Sequence, residues 1–320
     1  MRRKAILFVI SIISFVCLTS CDRDHTLPEE LSGAVCAVKF SINQELNIIP
    51  FPDTKSIPGD FPSEPTTSSK GGTDEEPSFS FIEYAVYDTT NDALVRHITF
   101  SKEDPLLNDF GYFIYDTLRT GSYKVCLLTH SVPQTTFEDN ILTFPNIGDI
   151  FNGSILAEIN ISTQELEKTI VLRRAVSRVE FVATDIVPDK VKSLHLQSAG
   201  RYDKFDLLTG ETITEPSAYA YEHIFTPAER GEGLYNTHAF YTLVPPGENI
   251  KLSGAILTAK DQEGYEVRKR TVTDIPIIKN KITRYKGILY TPGTIDDIFD
   301  LTFENDGAWD EPIEENLPND

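Results

Sequence analysis

The chain has 320 residues, a formal net charge of −20 and 40% hydrophobic residues. A surface this acidic excludes nucleic acid as a partner, because phosphate binding runs on Lys and Arg. The apolar fraction is enough to build real cores, which excludes global disorder, and the length suits two domains.

Arg2, Arg3 and Lys4 precede an apolar run from Ala5 to Leu18. Those 14 residues are too few to span a bilayer and read as the core of a signal peptide, residues 1–20. The run ends in Leu18-Thr19-Ser20-Cys21, which resembles the lipobox of bacterial lipoproteins. That resemblance implies cleavage between Ser20 and Cys21 and a lipid on the Cys21 sulfur. An ordinary secretory signal with an incidental Cys21 is the alternative. No later stretch is apolar for long enough to cross a membrane as a helix, so the lipid is the only anchor on offer. Cys17 leaves with the signal, and Cys36 and Cys126 each sit in an apolar β-like run. They can bridge in an oxidising compartment or remain buried thiols.

Period-two alternation recurs along the rest of the chain. In residues 33–42 the apolar set is Cys36, Val38 and Phe40, with Lys39 and Ser41 facing out. Residues 44–78 break the pattern with six prolines and "TTSSKGGTDEE", and read as a linker or long exposed loop. Strands resume at 79–88 and 93–100, a hairpin turning through "TTND". Two more meet at Gly121, and "GSILAEINIS" alternates through Ile155, Ala157, Ile159 and Ile161. Further strands are predicted at 191–198, 202–208, 237–244, 249–259, 264–273, 280–289 and 298–304, with "KDQEG" a turn. One short helix is predicted around "STQELEK", with Ser162 as N-cap and Glu165 three residues on. Strands at this spacing without interleaved helices predict an all-β protein of antiparallel sandwiches.

"IVLRRAVSRVEFVA" (170–183) changes parity: Ile170 and Leu172 are even, whereas Ala175, Val179, Phe181 and Ala183 are odd. One flat strand cannot do this, because successive side chains alternate between faces. The chain either carries a β-bulge here or leaves one sandwich for a second, giving domains 21–173 and 174–320. In the latter case Arg173, Arg174 and Arg178 sit at the crossing, solvated and near acidic partners.

Chemistry is sparse. His25, His97, His130, His195, His223 and His238 show no i, i+4 pair and no HExxH motif, and there is no GxSxG, P-loop or GxGxxG. No enzyme activity, metal or cofactor is expected. Carbohydrate sites use aromatic platforms, and Tyr219, Tyr221, Tyr235 and Tyr241 are the candidates, with core packing as their other reading. Residues 296–320 carry ten acidic side chains and end in "GAWDEPIEENLPND". This tail either solubilises or acts as a donor strand with Trp309 as its anchor.

The lipobox, one strand, a polar linker, "FIEYAVYDTTNDALV", "GSYKVCLL", "VLRRAVSRVEF", "TLVPPGENIKLSG" and "NKITRYKGILY" follow one another in an order that resembles the fimbrillin and FimB-like fimbrial anchor superfamily of Bacteroidales, the subunits of type V pili. The resemblance implies two tandem transthyretin-like β-sandwich domains and a lipoprotein of the outer membrane. It also implies assembly with other fimbrial subunits by donor-strand exchange, in which stalk subunits lose their first strand to an Arg-specific protease while anchors keep it. No arginine occurs between Arg23 and Arg96, which favours an anchor or accessory subunit over a stalk subunit. The other reading is a surface lipoprotein that binds polysaccharide or a host glycan through its sandwich.

Overall fold

β-Branched and aromatic residues alternating with polar ones dictate the architecture. The computed structural model describes residues 34–45, 79–104, 109–160, 165–231 and 236–292, and the backbone of 300–304. In chain order the strands are β1 (Val35–Gln44), β2 (Phe81–Asp88), β3 (Leu94–Ser101), β4 (Phe113–Arg119), β5 (Gly121–His130), β6 (Thr136–Glu138), β7 (Ile141–Thr143), β8 (Ile150–Ile159) and β9 (Glu165–Arg174). They continue as β10 (Val176–Ala183), β11 (Val191–Arg201), β12 (Lys204–Asp206), β13 (Glu211–Thr212), β14 (Ser217–Ile224), β15 (Thr237–Leu243), β16 (Lys251–Asp261), β17 (Glu266–Pro276), β18 (Ile282–Gly287) and β19 (Asp300–Glu304). The protein is all-β.

In the first half, β9–β1–β4 faces β3–β2–β5–β8, the two runs meeting at a corner where β8 pairs with β9 over only Phe151–Arg174 and Asn152–Arg173. Between them lies a core that includes Phe40, Tyr84, Ile114, Val125, Ala157 and Ile170. Gly153 makes the corner possible: a Cβ there would sit 2.2 Å from the Val171 carbonyl oxygen. In the second half, β18–β10–β15, with β19 at the edge, faces β14–β11–β16–β17 over Val179, Phe181, Leu196, Phe240, Leu257 and Tyr285.

The strand order therefore repeats. β1, β2, β3, β4, β5, β8 and β9 occupy the places taken by β10, β11, β14, β15, β16, β17 and β18. Each half carries one inserted hairpin, β6–β7 and β12–β13. β7 pairs with β12, so that a four-stranded sheet is drawn from both halves. A third core under it mixes Tyr87, Cys126, Leu142 and Phe144 with Phe205, Leu243 and Ile282. β5 is consequently covered on both faces, which explains its continuous run "VCLLTH".

Three sequence expectations need correction. In place of the helix expected around "STQELEK", the described residues Glu165–Lys168 open β9, which runs parallel to β1 from Ala37↔Glu165; Ser162 falls outside the described residues. The Ser/Glu spacing suits a helix start, but Leu166, Ile170 and Leu172 alternate and have a sheet to join. Second, the mainly antiparallel sheets contain two parallel pairs, β1/β9 and β10/β18, which hold equivalent places in the two halves. Third, Arg174 and Arg178 are buried rather than solvated.

Candidate functional site

β1 is an interior strand. It pairs antiparallel with β4 from Val35↔Arg119 to Ser41↔Phe113 and parallel with β9 from Ala37↔Glu165 to Gln44↔Leu172. Cys36, Val38 and Phe40 are buried in the first-half core, and the Phe40 ring lies 6.2 Å from that of Tyr84 across the sandwich. Burying a side chain of this size is worth about 1.5–3 kcal/mol each, so β1 is a main contributor to that core. Tyr84 donates to Asp116 at 2.7 Å, and Arg96 also pairs with Asp116, tying β2 and β3 to β4 across one end of the sandwich. Without β1, β4 and β9 would face each other across an empty slot with two unpaired strand edges. Residues 45–80 separate β1 from β2 in sequence.

At the crossing between the halves, β9 ends at Arg174 and β10 begins at Val176, which accounts for the parity change. The Arg173 side chain is 73% exposed, its Nε 3.4 Å from Glu45. Arg174 is buried and bidentate on Asp149, with Nε and Nη2 donating at 2.8 and 2.9 Å, while Nη1 donates to Asn280 at 2.8 Å. Arg178 Nε lies 2.8 Å from Glu180, whose other oxygen accepts from Arg284 Nε at 2.6 Å. The Arg178 guanidinium sits over the Tyr241 ring, and burial pushes the Tyr241 hydroxyl well above its usual range. A buried charge holds only when paired in this way. The cluster takes residues from both halves, Asp149 and Asn280 among them.

A second polar cluster escaped the sequence. Glu83 on β2 is buried beneath the β6–β7 hairpin, and its carboxylate meets His97 Nε2 at 2.8 Å, Thr99 Oγ1 at 2.7 Å and His130 Nε2 at 3.2 Å. Burial alone would raise the Glu83 pKa, but the hydrogen bonds from His130, His97 and Thr99 outweigh it and hold the group at about 2. Phe137 stacks on His97 at 3.8 Å. The only advance signal was polar residues inside apolar strands. Among the described residues no group of three or more His, Cys, Asp or Glu is placed to hold a metal ion.

The tyrosines are not gathered. Tyr219 and Tyr221 share β14, half-buried against the second-half core, with Arg201 over the Tyr219 ring. Tyr241 lies on β15 against the shared core, and Tyr235 falls outside the described residues. Ser20, Cys21, Trp309 and almost all of 44–78 also fall outside them. Cys36 and Cys126 are free, buried in different cores, and burial raises the Cys126 thiol to about 12.

A family model matches residues 148–317, over half of the chain: the family of unknown function DUF6562. The chain belongs to this family. No curated protein matches it. Among solved structures it is similar to the fimbrial anchor protein Mfa2 of Porphyromonas gingivalis, with 13% identity, 86% of this chain and 98% of the other covered, and a TM-score of 0.48. It is similar to a candidate adhesin from Bacteroides ovatus at 12% identity, 75% and 83% coverage and a TM-score of 0.48. A fimbrial assembly protein from Parabacteroides distasonis gives 13% identity, 85% and 99% coverage and a TM-score of 0.43.

Proposed function

We propose that the protein is a fimbrial subunit anchored by lipid at Cys21 to the outer membrane, an anchor or accessory rather than a stalk subunit, working in cell adhesion without catalysis. Its domains are 21–173 and 174–320, each a transthyretin-like sandwich, and Arg174 and Arg178 lock their crossing. The observation that carries the reading is β1: an interior strand, placed between β4 and β9, that a long polar stretch separates from the rest of its sandwich. This is the arrangement that strand complementation needs, because the strand can be swapped for one of equal alternation without disturbing other pairings. With no arginine from 24 to 95, an Arg-specific protease leaves β1 in place. The chain then takes no strand from a neighbour and serves as the base of a fibre. Complementation runs outward instead, through the C-terminal segment around Asp300–Glu304, which sits at the sheet edge beside β18.

A strain carrying Cys21→Ser tests the role. Fibres shed into the medium with this chain at their end support it. Fibres that stay attached, or that never contain this chain, contradict it.

A further inference from the structure

We propose that a trough on the outer face of the β9–β1–β4 sheet is a binding site for a short neutral saccharide. Cys36 and Val38 point into the core, so Val35, Ala37 and Lys39 point outward. The register then sets side chains in rows across the three strands. Thr117, Ala37 and Glu165 form one row, and Tyr115, Lys39 and Glu167 the next; Arg119 and Val35 form the row on the other side. Ala37 and Thr117 are short, whereas the rows flanking them are tall. The recess over Ala37 and Thr117, bounded by Tyr115, Lys39 and Glu165, has a volume of about 400 Å³, which lies in the range of small-ligand sites.

One wall is already fixed. Lys39 Nζ is 3.0 Å from Glu167 and 4.3 Å from the centre of the Phe113 ring, the Ser41 hydroxyl donates to Glu167 at 3.4 Å, and the Phe113 and Tyr115 rings are 6.2 Å apart. These contacts hold the wall upright while the Tyr115 side of it stays 63% exposed at the recess. Presenting an aromatic ring in this preorganised way lowers the entropic cost of binding.

The donor and acceptor set selects the ligand. Tyr115 offers a flat apolar face for the C–H face of a pyranose. The Thr117 hydroxyl both donates and accepts, Glu165 accepts and Lys39 donates, which matches adjacent sugar hydroxyls. Glu165 in the lining disfavours an anion and Lys39 disfavours a cation. Because β1 supplies Ala37 and Lys39, the site exists only while β1 is seated, and in this respect the inference rests on the retained β1 of the proposed function.

The test titrates purified full-length protein, its β1 verified by intact mass, with maltotriose, cellotriose, mannotriose, xylotriose and di-N-acetylchitobiose by calorimetry. At least one sugar should bind with a Kd of about 1 mM or tighter. Tyr115→Ala and Ala37→Leu should each weaken it by about tenfold or more, Tyr115→Phe by less than about twofold, with the melting temperature unchanged because both positions are exposed. Failure of every sugar to bind, or binding indifferent to Tyr115→Ala and Ala37→Leu, overturns the site. Since β1 is verified beforehand, that failure leaves the fibre reading standing; a fibre reading lost in the cell leaves this titration unaffected.

Discussion

In the second half β10 follows β9 after a single residue, Ala175, whereas its counterpart β1 joins the first half only across residues 45–80. Both are interior strands with one antiparallel and one parallel neighbour, the parallel ones being β9 and β18. They differ in how they are held. β10 is tied by the peptide chain and by the buried pairs of Arg178, Glu180 and Arg284, while β1 is held by backbone pairing and by Cys36, Val38 and Phe40 in the core. The lesson is that one strand order supports two modes: a strand locked by connectivity and buried charge, and a strand seated by shape, alternation and a surface ion pair.

Breaking β1 should have the largest effect. Phe40→Ala removes a fully buried ring and should cost about 3–5 kcal/mol, read by denaturant unfolding, with β2 and β5 amides losing protection in hydrogen exchange first. Breaking the lock should come next. Asp149→Ala leaves the buried Arg174 guanidinium without its bidentate partner and should cost about 3 kcal/mol, whereas exchanging the pair for apolar residues of similar volume should cost far less.

Acid should separate the halves further. Burial holds His238 neutral, with its ring nitrogen 2.8 Å from the Tyr290 hydroxyl, and lowers its pKa to about 3. A group depressed from 6.5 gives stability that is complete above about pH 6.5 and is lost as pH falls toward 3, about 2 kcal/mol of it by pH 5. Glu83 is depressed from 4.5 to about 2, so its contribution to the first half is complete above about pH 4.5 and disappears only between there and pH 2. Hydrogen exchange at pH 5 should therefore find β15 weakened while β2 remains protected; equal loss in both would contradict the assignment. Glu83→Gln should flatten the decline below pH 4.5. The smallest effect belongs to Lys39→Ala, which removes a surface ion pair with Glu167 and should barely move the unfolding midpoint, the difference vanishing at high salt.

Much of this fold is legible in alternation. β1, β2, β3, β5 and β8 follow from period-two patterns, and the parity change at 173–175 marks where one strand ends and the next begins. Short hairpins are not legible: β6, β7 and β13 have two or three residues each, and they stand as strands in a small sheet joined across the halves by the β7–β12 pairing. β9 is half-legible, since its first residues carry a helix-start pattern that the neighbouring β1 overrides. Burial of Arg174 is invisible because its partner Asp149 lies 25 residues away; Arg178 has Glu180 two residues on, but Arg284, which shares that carboxylate, lies 104 residues from Glu180. The same distance hides Glu83, His97 and His130, which no spacing rule connects.

The claim that β1 is retained is tested most directly by the intact mass and N-terminal sequence of the native protein, taken from outer-membrane and shed-fibre fractions. The account predicts a lipidated Cys21 followed by an uncut chain through residues 44–78 in both fractions. A mature terminus inside 44–78 would contradict it, because the first strand would then be gone and the slot between β4 and β9 would be waiting for another chain.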